Sequence, residues 1–289
     1  MDDILAVGKL SSPISVLFRS LLRSVTLYSR PDWVPIYKVV SSVENGDSSR
    51  AEKYTDVNEN SRWDDAESFT DGNNEYDEGE FSIGNTYCTE EQNNSDWCAD
   101  EIPHQIKLKD FSMDKYEVTN SEYMKCFAEG VCNPNELHET RPDDFSDMKQ
   151  PVVFVSWKDA QTFCNWRGGN LPTEAQWERA AQGDNLGGAH FKQVYNSGAT
   201  VDVGGQRPNS NGLFDMMGNA YEWTLDWYGP YSLDHVLSNP KGPPKGKEKV
   251  VRGGAWHSPS HYLRISDRVA RTPEYKYSDV GIRCAYPIK

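Results

Sequence analysis

The residues best suited to chemistry lie near the C-terminus, between residues 256 and 279. His257 and His261 stand four residues apart, and imidazole is a common ligand for iron or copper. A metal site needs further ligands, and no third one accompanies the two histidines. We therefore keep a metal-dependent oxidoreductase with a site at His257 and His261 as the alternative function.

The same segment is rich in residues that bind rather than react. Tyrosine, serine and histidine on a rigid scaffold provide stiff aromatic anchors beside adaptable polar groups. The residues expected to line this groove are Trp256, His257, Ser258, His261, Tyr262, Arg264 and Tyr275. We predict that a peptide, protein or glycan ligand binds here. The plainer interpretation, that these residues only solvate a loop-rich surface, stays open.

The cysteines form the second set of reactive groups, and there are six of them. They are Cys88 and Cys98 around a polar loop, Cys126 and Cys132 at the end of a predicted helix, and the distant Cys164 and Cys284. An even number with local pairs favours disulfides, and hence an oxidising, extracytoplasmic compartment. Zinc is the rival interpretation, but no CxxC or CxxxC pair is present. Asp2 and Asp3 open the chain, which does not resemble a secretion signal.

The composition argues against several function classes. The formal net charge is −14 and no basic patch stands out, so the sequence does not predict a protein that binds nucleic acid. No apolar run reaches the length of a bilayer, so no transmembrane span is expected. The sequence also lacks a P-loop, a GxSxG elbow and a dinucleotide fingerprint. With 22 Gly and 16 Pro, it favours loops and short strands over a helical bundle.

Two N-terminal segments differ from the rest of the chain. Residues 1–43 include a short basic amphipathic stretch from Ile14 to Val25, which predicts a helix that associates with a surface or a partner. Residues 44–80 carry thirteen acidic residues against three basic ones, a net charge of −10, and few aliphatic residues. Such a segment cannot bury enough apolar surface to offset the entropy of ordering it. We therefore predict a disordered acidic linker.

Residues 81–289 are expected to form one folded domain. Strands are predicted at residues 81–84 and 106–111, and three helices begin after the N-cap residues Thr119, Ser156 and Thr173. Beyond residue 183 the chain is dense in Gly, Asn, Trp and Tyr, which predicts loops and short strands. The carbonyl groups of such irregular backbone need side chains, water or metal ions as partners.

Seven segments of this domain match one known family in order. They are Asp114–Asn120, Pro151–Ala160, Leu171–Glu178, Asn211–Trp223, Asn239–Pro244, Arg252–Trp256 and Gly281–Cys284. Each segment alone is a modest match, but seven in the right order are highly specific. Residues 81–289 resemble the formylglycine-generating enzyme, or sulfatase-modifying factor, family. The resemblance implies an α+β fold, an irregular and loop-rich variant of the C-type-lectin fold.

The resemblance also implies a calcium site. Its ligands fall on the side chains of Asp215 and Glu222 and on the backbone carbonyls of Gly218 and Ala220. Calcium takes oxygen ligands of these kinds in a flexible shell. The plainer interpretation is that Glu222 only hydrogen-bonds its own loop.

Two disulfide positions follow from the resemblance as well. It implies a bond between Cys164 and Cys284, which would tie the second helix to the last strand. The second long disulfide of the family falls near Ala181 and Arg268, and both positions lack sulfur.

The catalytic positions of the family are also changed. The family uses two cysteines after a Gly-Gly pair to bind copper(I), activate oxygen and oxidise a sulfatase cysteine. The matching positions here are Ser258 and Leu263, and a preceding serine is Ala255. Copper(I) demands soft thiolates, which a hydroxyl and an isobutyl group cannot replace. We predict no copper, no catalytic residue and no formylglycine-generating activity, and leave open whether another catalytic activity remains.

The leading interpretation combines these points. A sulfatase-modifying-factor-type domain on an acidic tether binds a ligand through its 255–279 surface, outside the cytoplasm. The same fold also serves variable receptor-binding proteins, which supports a binding role for that surface.

Overall fold

The computed structural model describes residues 33–36, 53–54, 69–70, 79–85, 99–183, 188–233 and 236–287. The chain divides into two units, Met1–Asp32 and Trp33–Lys289, and the first lies outside the described residues. The expected amphipathic helix, most of the acidic segment and the Cys88 and Cys98 pair also lie outside them.

Three α-helices begin where the sequence predicts them. They are α1 (Asn120–Ala128), α2 (Trp157–Trp166) and α3 (Glu174–Ala181). Each has a capping box: the N-cap side chain accepts a hydrogen bond from the third helical N–H, and the side chain of that third residue accepts one from the N-cap N–H. The caps fix where each helix starts, and therefore where its inner face meets the core.

Short strands make up the sheets. They are β1 (Trp33–Ile36), β2 (Lys53–Tyr54), β3 (Phe69–Thr70), β4 (Gly79–Ile83), β5 (His104–Leu108), β6 (Phe111–Asp114), β7 (Tyr221–Trp227), β8 (Leu237–Ser238), β9 (Lys249–Arg252), β10 (Val269–Arg271), β11 (Val280–Gly281) and β12 (Ala285–Pro287). The strand orders are β10-β9-β7-β11, β4-β5-β8, β1-β6-β12 and β2-β3. β7 lies between β9, which is antiparallel to it, and β11, which is parallel.

The predicted strand over residues 106–111 is two strands in the structure. β5 ends at Leu108, and the Lys109 N–H then donates to the side chain of Asn239 at 2.8 Å instead of continuing a ladder. β6 begins at Phe111 and joins a different sheet, where it pairs with both β1 and β12. The apolar residues of 106–111 are separated by polar ones throughout, so the sequence pattern did not indicate that one strand ends and another begins there.

Strands also occur in the N-terminal segments, where the sequence analysis expected none. β1 lies within residues 1–43, and β2 and β3 lie within the acidic segment and pair with each other. β4 begins at Gly79, two residues before the expected domain boundary.

The core has two apolar clusters. The first contains Tyr123, Phe163, Val251, Trp223 and Trp256, and the second contains Ile106, Met113, Trp177, Leu213 and Leu263. Each such side chain contributes roughly 1.5–3 kcal/mol when it is fully buried. The second cluster packs α3 against β4, β5 and β6, so that α3 sits beside the segment that holds the predicted groove.

Two disulfides close within the described residues. Cys164 in α2 is bonded to Cys284, which precedes β12, with the sulfur atoms 1.97 Å apart. Cys126 is bonded to Cys132 just after α1. Both predicted pairs are confirmed, and the described part of the chain holds no free cysteine. Two closed disulfides are consistent with folding in an oxidising compartment.

Within the described ranges, no helix has both the length and the apolar composition that are needed to cross a membrane.

The two disulfides should differ in their effect on stability. The Cys164–Cys284 bond closes a sequence separation of 120 residues and Cys126–Cys132 one of 6. In the chain-entropy model we expect the pair Cys164→Ala with Cys284→Ala to lower the free energy of unfolding by about 5 kcal/mol, against about 2 kcal/mol for Cys126→Ala with Cys132→Ala. Urea unfolding of the two double variants measures the difference, and equal losses would contradict the expectation.

Candidate functional site

A sharp turn at Gly253 and Gly254 leads from β9 into the predicted groove. Their φ angles are 95° and 80°, which residues with a side chain rarely adopt. A Cβ atom on Gly253 would lie 2.9 Å from the Met216 carbonyl oxygen, and one on Gly254 would lie 3.0 Å from Leu263 Cδ1. The turn therefore requires glycine twice, and it directs the next residues beneath the surface.

Ser258 and Leu263, where the family resemblance implies the copper ligands, are buried and contact other parts of the protein. Ser258 is 2 % exposed, and its Oγ accepts the Ala255 N–H at 3.0 Å and lies 3.3 Å from the Tyr221 hydroxyl. Burial raises the pKa of Tyr221, so that this phenol stays neutral. Leu263 is also buried and belongs to the apolar cluster around Trp177.

Trp256 lies beneath the predicted groove and is not part of the exposed surface. The residue is 1 % exposed, and its indole N–H donates to the Ser278 carbonyl at 2.9 Å. Its ring lies 5.8 Å from those of Phe145 and Tyr195, centroid to centroid. Trp256 and Ser258 were predicted to contact a ligand, and their burial means that they support the groove from below.

Three exposed tyrosines, which we name the tyrosine rim, lie in the segment of the predicted groove or contact it. Tyr195, Tyr277 and Tyr262 are 56 %, 52 % and 39 % exposed. The sequence analysis missed the role of Tyr195, which lies about sixty residues before the groove segment. Arg141 holds the Tyr195 loop in place, because its guanidinium donates to the Tyr195 and Gly198 carbonyls at 3.2 and 2.5 Å.

His257 lies between this aromatic rim and a buried carboxylate. Its ring contacts those of Tyr195 and Trp256 edge-on, and its Nε2 lies 3.5 Å from an oxygen of Asp279. Asp279 also accepts a hydrogen bond from the Tyr275 hydroxyl at 3.1 Å. Tyr275 is half-buried, and its contact with Asp279 positions its ring within the predicted surface.

The other predicted groove residues lie on the short turn Ser260–Tyr262 and just after it. His261 is exposed, and its ring lies 4.4 Å from that of Tyr262, so both are accessible. Arg264 is committed to the protein itself, because its guanidinium contacts the Glu101 carboxylate and donates to an oxygen of Asp267 at 2.8 Å. Arg264 therefore anchors the groove segment and does not present a free charge to a ligand.

Buried ion pairs connect α3 to the chain on either side of the groove. Arg268 forms a two-pronged hydrogen bond with Glu174, with distances of 2.6 and 2.8 Å. Arg252 pairs with Glu178 one turn further along α3 and also donates to the Ser266 carbonyl at 2.7 Å. Arg268 stands where the family resemblance places a disulfide cysteine, so an ion pair links the groove segment to α3 there.

The Glu222 carboxylate, a predicted calcium ligand, is paired with protein donors on both oxygens. Its Oε1 accepts the Arg283 Nη2–H at 2.7 Å, and its Oε2 accepts the Trp177 indole N–H at 2.6 Å. The single Nε–H of Arg283 is shared between the two oxygens, at 2.9 and 3.0 Å. Glu222 thus accepts hydrogen bonds from three N–H groups and is paired with a buried guanidinium, an arrangement that does not favour calcium at this carboxylate.

Asp215 lies near Glu222 with one contact of its own. It sits at φ 55°, and its Oδ2 accepts the Gly204 N–H at 2.6 Å. Burial raises the pKa of Asp215 and raises that of neighbouring Glu117 strongly; Glu117 accepts the Ala220 N–H at 3.0 Å. Gly218, at φ 87°, donates its N–H to the Gly253 carbonyl at 2.9 Å, which ties this loop to the groove turn. Calcium at the predicted ligands stays a prediction.

No group of three or more His, Cys, Asp or Glu side chains is placed to hold a metal ion in the described ranges. In particular, His257 faces Asp279 while His261 stacks beside Tyr262, so the two imidazoles have separate surroundings. The alternative function therefore gains no support from this geometry.

Three capped helices, short curled sheets and long hydrogen-bonded loops define an α+β domain of the C-type-lectin-like class. The solved structure of Treponema denticola variable protein 1 has this fold: it superposes with a TM-score of 0.58 at 23 % identity, covering 72 % of this chain and 92 % of that one. The structure of PvdO from Pseudomonas aeruginosa matches equally, at a TM-score of 0.58 and 22 % identity, covering 73 % and 92 %.

The chain belongs to the family of sulfatase-modifying factor enzyme 1-like domains, whose model matches residues 74–288. This assignment confirms the family and the fold class expected from the seven segments.

Curated relatives include proteins of more than one name. The chain is 34 % identical to serine/threonine-protein kinase Pkn1 of Chlamydia trachomatis over 242 residues, covering 73 % of this chain and 37 % of the kinase. It is 35 % identical to the formylglycine-generating enzyme of Bos taurus over 184 residues, covering 54 % and 49 %. It is 32 % identical to the inactive C-alpha-formylglycine-generating enzyme 2 of Mus musculus over 165 residues, covering 48 % and 49 %. The chain thus matches between about a third and a half of the length of these relatives.

Replacing Ser258 should destabilise the groove turn. Ser258→Ala leaves the buried Ala255 N–H without its acceptor, so we expect a loss of about 1–3 kcal/mol in the free energy of unfolding. Ser260→Ala, two residues away and partly exposed, is the control and should change it by less than about 0.5 kcal/mol. Urea unfolding of both variants is the measurement, and an unchanged Ser258→Ala would show that the turn does not depend on this hydroxyl.

Asp226 beside α3 should make stability depend on pH. Its Oδ2 accepts the Glu174 N–H at 2.9 Å, and burial, followed by the charge of Glu174, raises its pKa to about 7. The unfolded value is about 3.9, so the folded state binds a proton more tightly, and this contribution to stability is lost as pH rises from about 4 to about 7. Asp226→Asn keeps an acceptor without the charge, and should be more stable than the parent by about 1–3 kcal/mol near pH 8, and equal to it near pH 4.

Unfolding curves at several pH values test this expectation. Asp202→Asn removes an exposed carboxylate and is the matched control, with no such pH-dependent gain. A constant difference between Asp226→Asn and the parent across the pH range would contradict the assignment.

Proposed function

We propose that this domain binds a protein or peptide partner through the tyrosine rim over Trp256, and does not oxidise cysteine with thiolate-bound copper. The observation that carries the proposal is the pair of buried side chains at Ser258 and Leu263, in the positions that match the copper ligands. Neither side chain can act as a soft thiolate ligand.

The state of the other cysteines supports the first half of the proposal. The four cysteines among the described residues are all in disulfides, so none of them offers a thiolate. The chain is 32 % identical to a mammalian protein that is named as inactive, so a relative that is named as lacking the activity supports the proposal.

The exposed rings support the second half. Tyr195, Tyr262 and Tyr277 come from three separate loops, and the first of these rings stacks against buried Trp256. Rigid tyrosines supply large contact area at low entropic cost, and they are enriched at protein interfaces. The rim therefore suits a protein or peptide, and a glycan is the other outcome that a binding test has to distinguish.

The two closed disulfides support a location outside the cytoplasm, as the cysteine pattern predicted. We propose that the domain meets its partner in an oxidising compartment.

An oxygen-electrode assay tests the chemistry. Full-length protein supplied with copper(I) and a cysteine-containing sulfatase peptide should consume no oxygen above the peptide blank, while a formylglycine-generating enzyme run in parallel should. Copper-dependent oxygen consumption by this chain would overturn the proposal.

Peptide and glycan arrays probed with the labelled full chain test the binding. Peptide hits should be weakened at least about tenfold by Tyr195→Ala combined with Tyr277→Ala, because truncating interface tyrosines removes the dominant contacts. Leu233→Ala, at an exposed apolar residue on another loop, is the matched control and should leave the hits unchanged. If only glycans bind, the ligand is a glycan and the proposed protein partner is wrong. If binding is unchanged by Tyr195→Ala combined with Tyr277→Ala, the tyrosine rim is not the binding surface.

A further inference from the structure

The guanidinium of Arg283 is paired with Glu222, one of the residues that the family resemblance implies as ligands of a divalent cation. Arg283 is fully buried, and all five of its N–H donors have acceptors within the protein. Two arms reach Glu222, and the remaining donors bind backbone carbonyls of Asp114, Lys115 and Phe214 at 2.8 to 3.0 Å. One side chain thereby fixes β6, the start of the loop and β7 relative to one another.

The partner groups leave little for a metal ion. Calcium takes six to eight oxygen ligands, with carboxylates as the main anionic ones. Both oxygens of Glu222 already accept hydrogen bonds from Arg283, and one of them also accepts the Trp177 indole N–H. Moving Glu222 toward a metal would leave a buried guanidinium without its counter-ion, and such a broken pair is strongly destabilising.

We propose that Arg283 is the cation that stabilises the 215–222 loop in this chain, so that the folded domain neither needs calcium nor binds it at Asp215 and Glu222. The inference concerns the scaffold and does not depend on the proposed partner binding.

Calcium titration of the full-length protein is the direct test. After dialysis against buffer that contains calcium, elemental analysis corrected for the buffer should find no stoichiometric calcium in the protein. In chelator-treated protein, added calcium at about 1 mM should shift the unfolding temperature by less than about 1 °C. A site with micromolar affinity would instead raise it by about 10 °C, since a ligand at a thousandfold excess over its dissociation constant stabilises the fold by mass action. One calcium per chain together with such a shift would overturn the proposal.

Removing the guanidinium gives the second test. Arg283→Met frees Glu222 and should lower the unfolding temperature by about 10 °C. Calcium at about 1 mM should then recover part of that loss, because the released carboxylate lies near Asp215 and both face oxygen-rich backbone. Arg268→Met breaks the comparable pair with Glu174, outside this loop, and should show the loss without any recovery by calcium.

If a variant fails to fold, the calcium titration still tests the proposal, because the parent protein alone shows whether calcium binds. If Arg283→Met folds, binds no calcium and keeps the unfolding temperature of the parent, the role of Arg283 is refuted. If the parent protein itself depends on calcium, the proposal that the domain does not need calcium is refuted.

Discussion

Three arginines, Arg252, Arg268 and Arg283, lie almost completely out of contact with solvent, and each is paired with a glutamate that is equally buried. A buried charge is tolerated only where its partner and its remaining hydrogen bonds are complete, because desolvation penalises both members of the pair. The planar guanidinium group of an arginine can donate hydrogen bonds to a carboxylate and to several backbone carbonyls at once. This property matters here because so much of the backbone between residues 183 and 287 lies outside regular ladders.

The position of these pairs explains how loops without regular structure hold a defined groove. Glu174 and Glu178 lie one turn apart on α3, and their arginines come from β9 and from the end of the groove segment. The groove segment is thus fastened to a helix that is itself fixed by its capping box and by Trp177 in the core. Ser258 and Leu263 complete the arrangement from within, since one satisfies a turn N–H and the other fills an apolar cluster. At these two positions the side chains therefore stabilise the segment that carries the rim.

Local signals in the sequence predicted the regular elements well. Thr119, Ser156 and Thr173 were predicted as N-cap residues from the residues next to them in the chain, and the structure confirms all three. The groove was harder, because burial of Trp256 depends on Phe145 and Tyr195, far away in the chain. The pairing of Glu222 with Arg283 was likewise invisible, since 61 residues separate them and nothing local marks an arginine as buried. Residue type and spacing therefore predicted the caps and the family, whereas long-range contacts decided which predicted groove residues reach the surface.

The topology of the antiparallel sheet β1-β6-β12 bears on how the chain is synthesised. β6 pairs with β12, and the residues just before β12 also supply Arg283 and Cys284. A growing chain therefore exposes the unpaired edge of β6, an uncompensated Glu222 and a reduced Cys164 until residue 287 has left the ribosome. On this account, closure of the Cys164–Cys284 disulfide and burial of the Glu222 charge are late events, which wait for the segment that carries Arg283, Cys284 and β12.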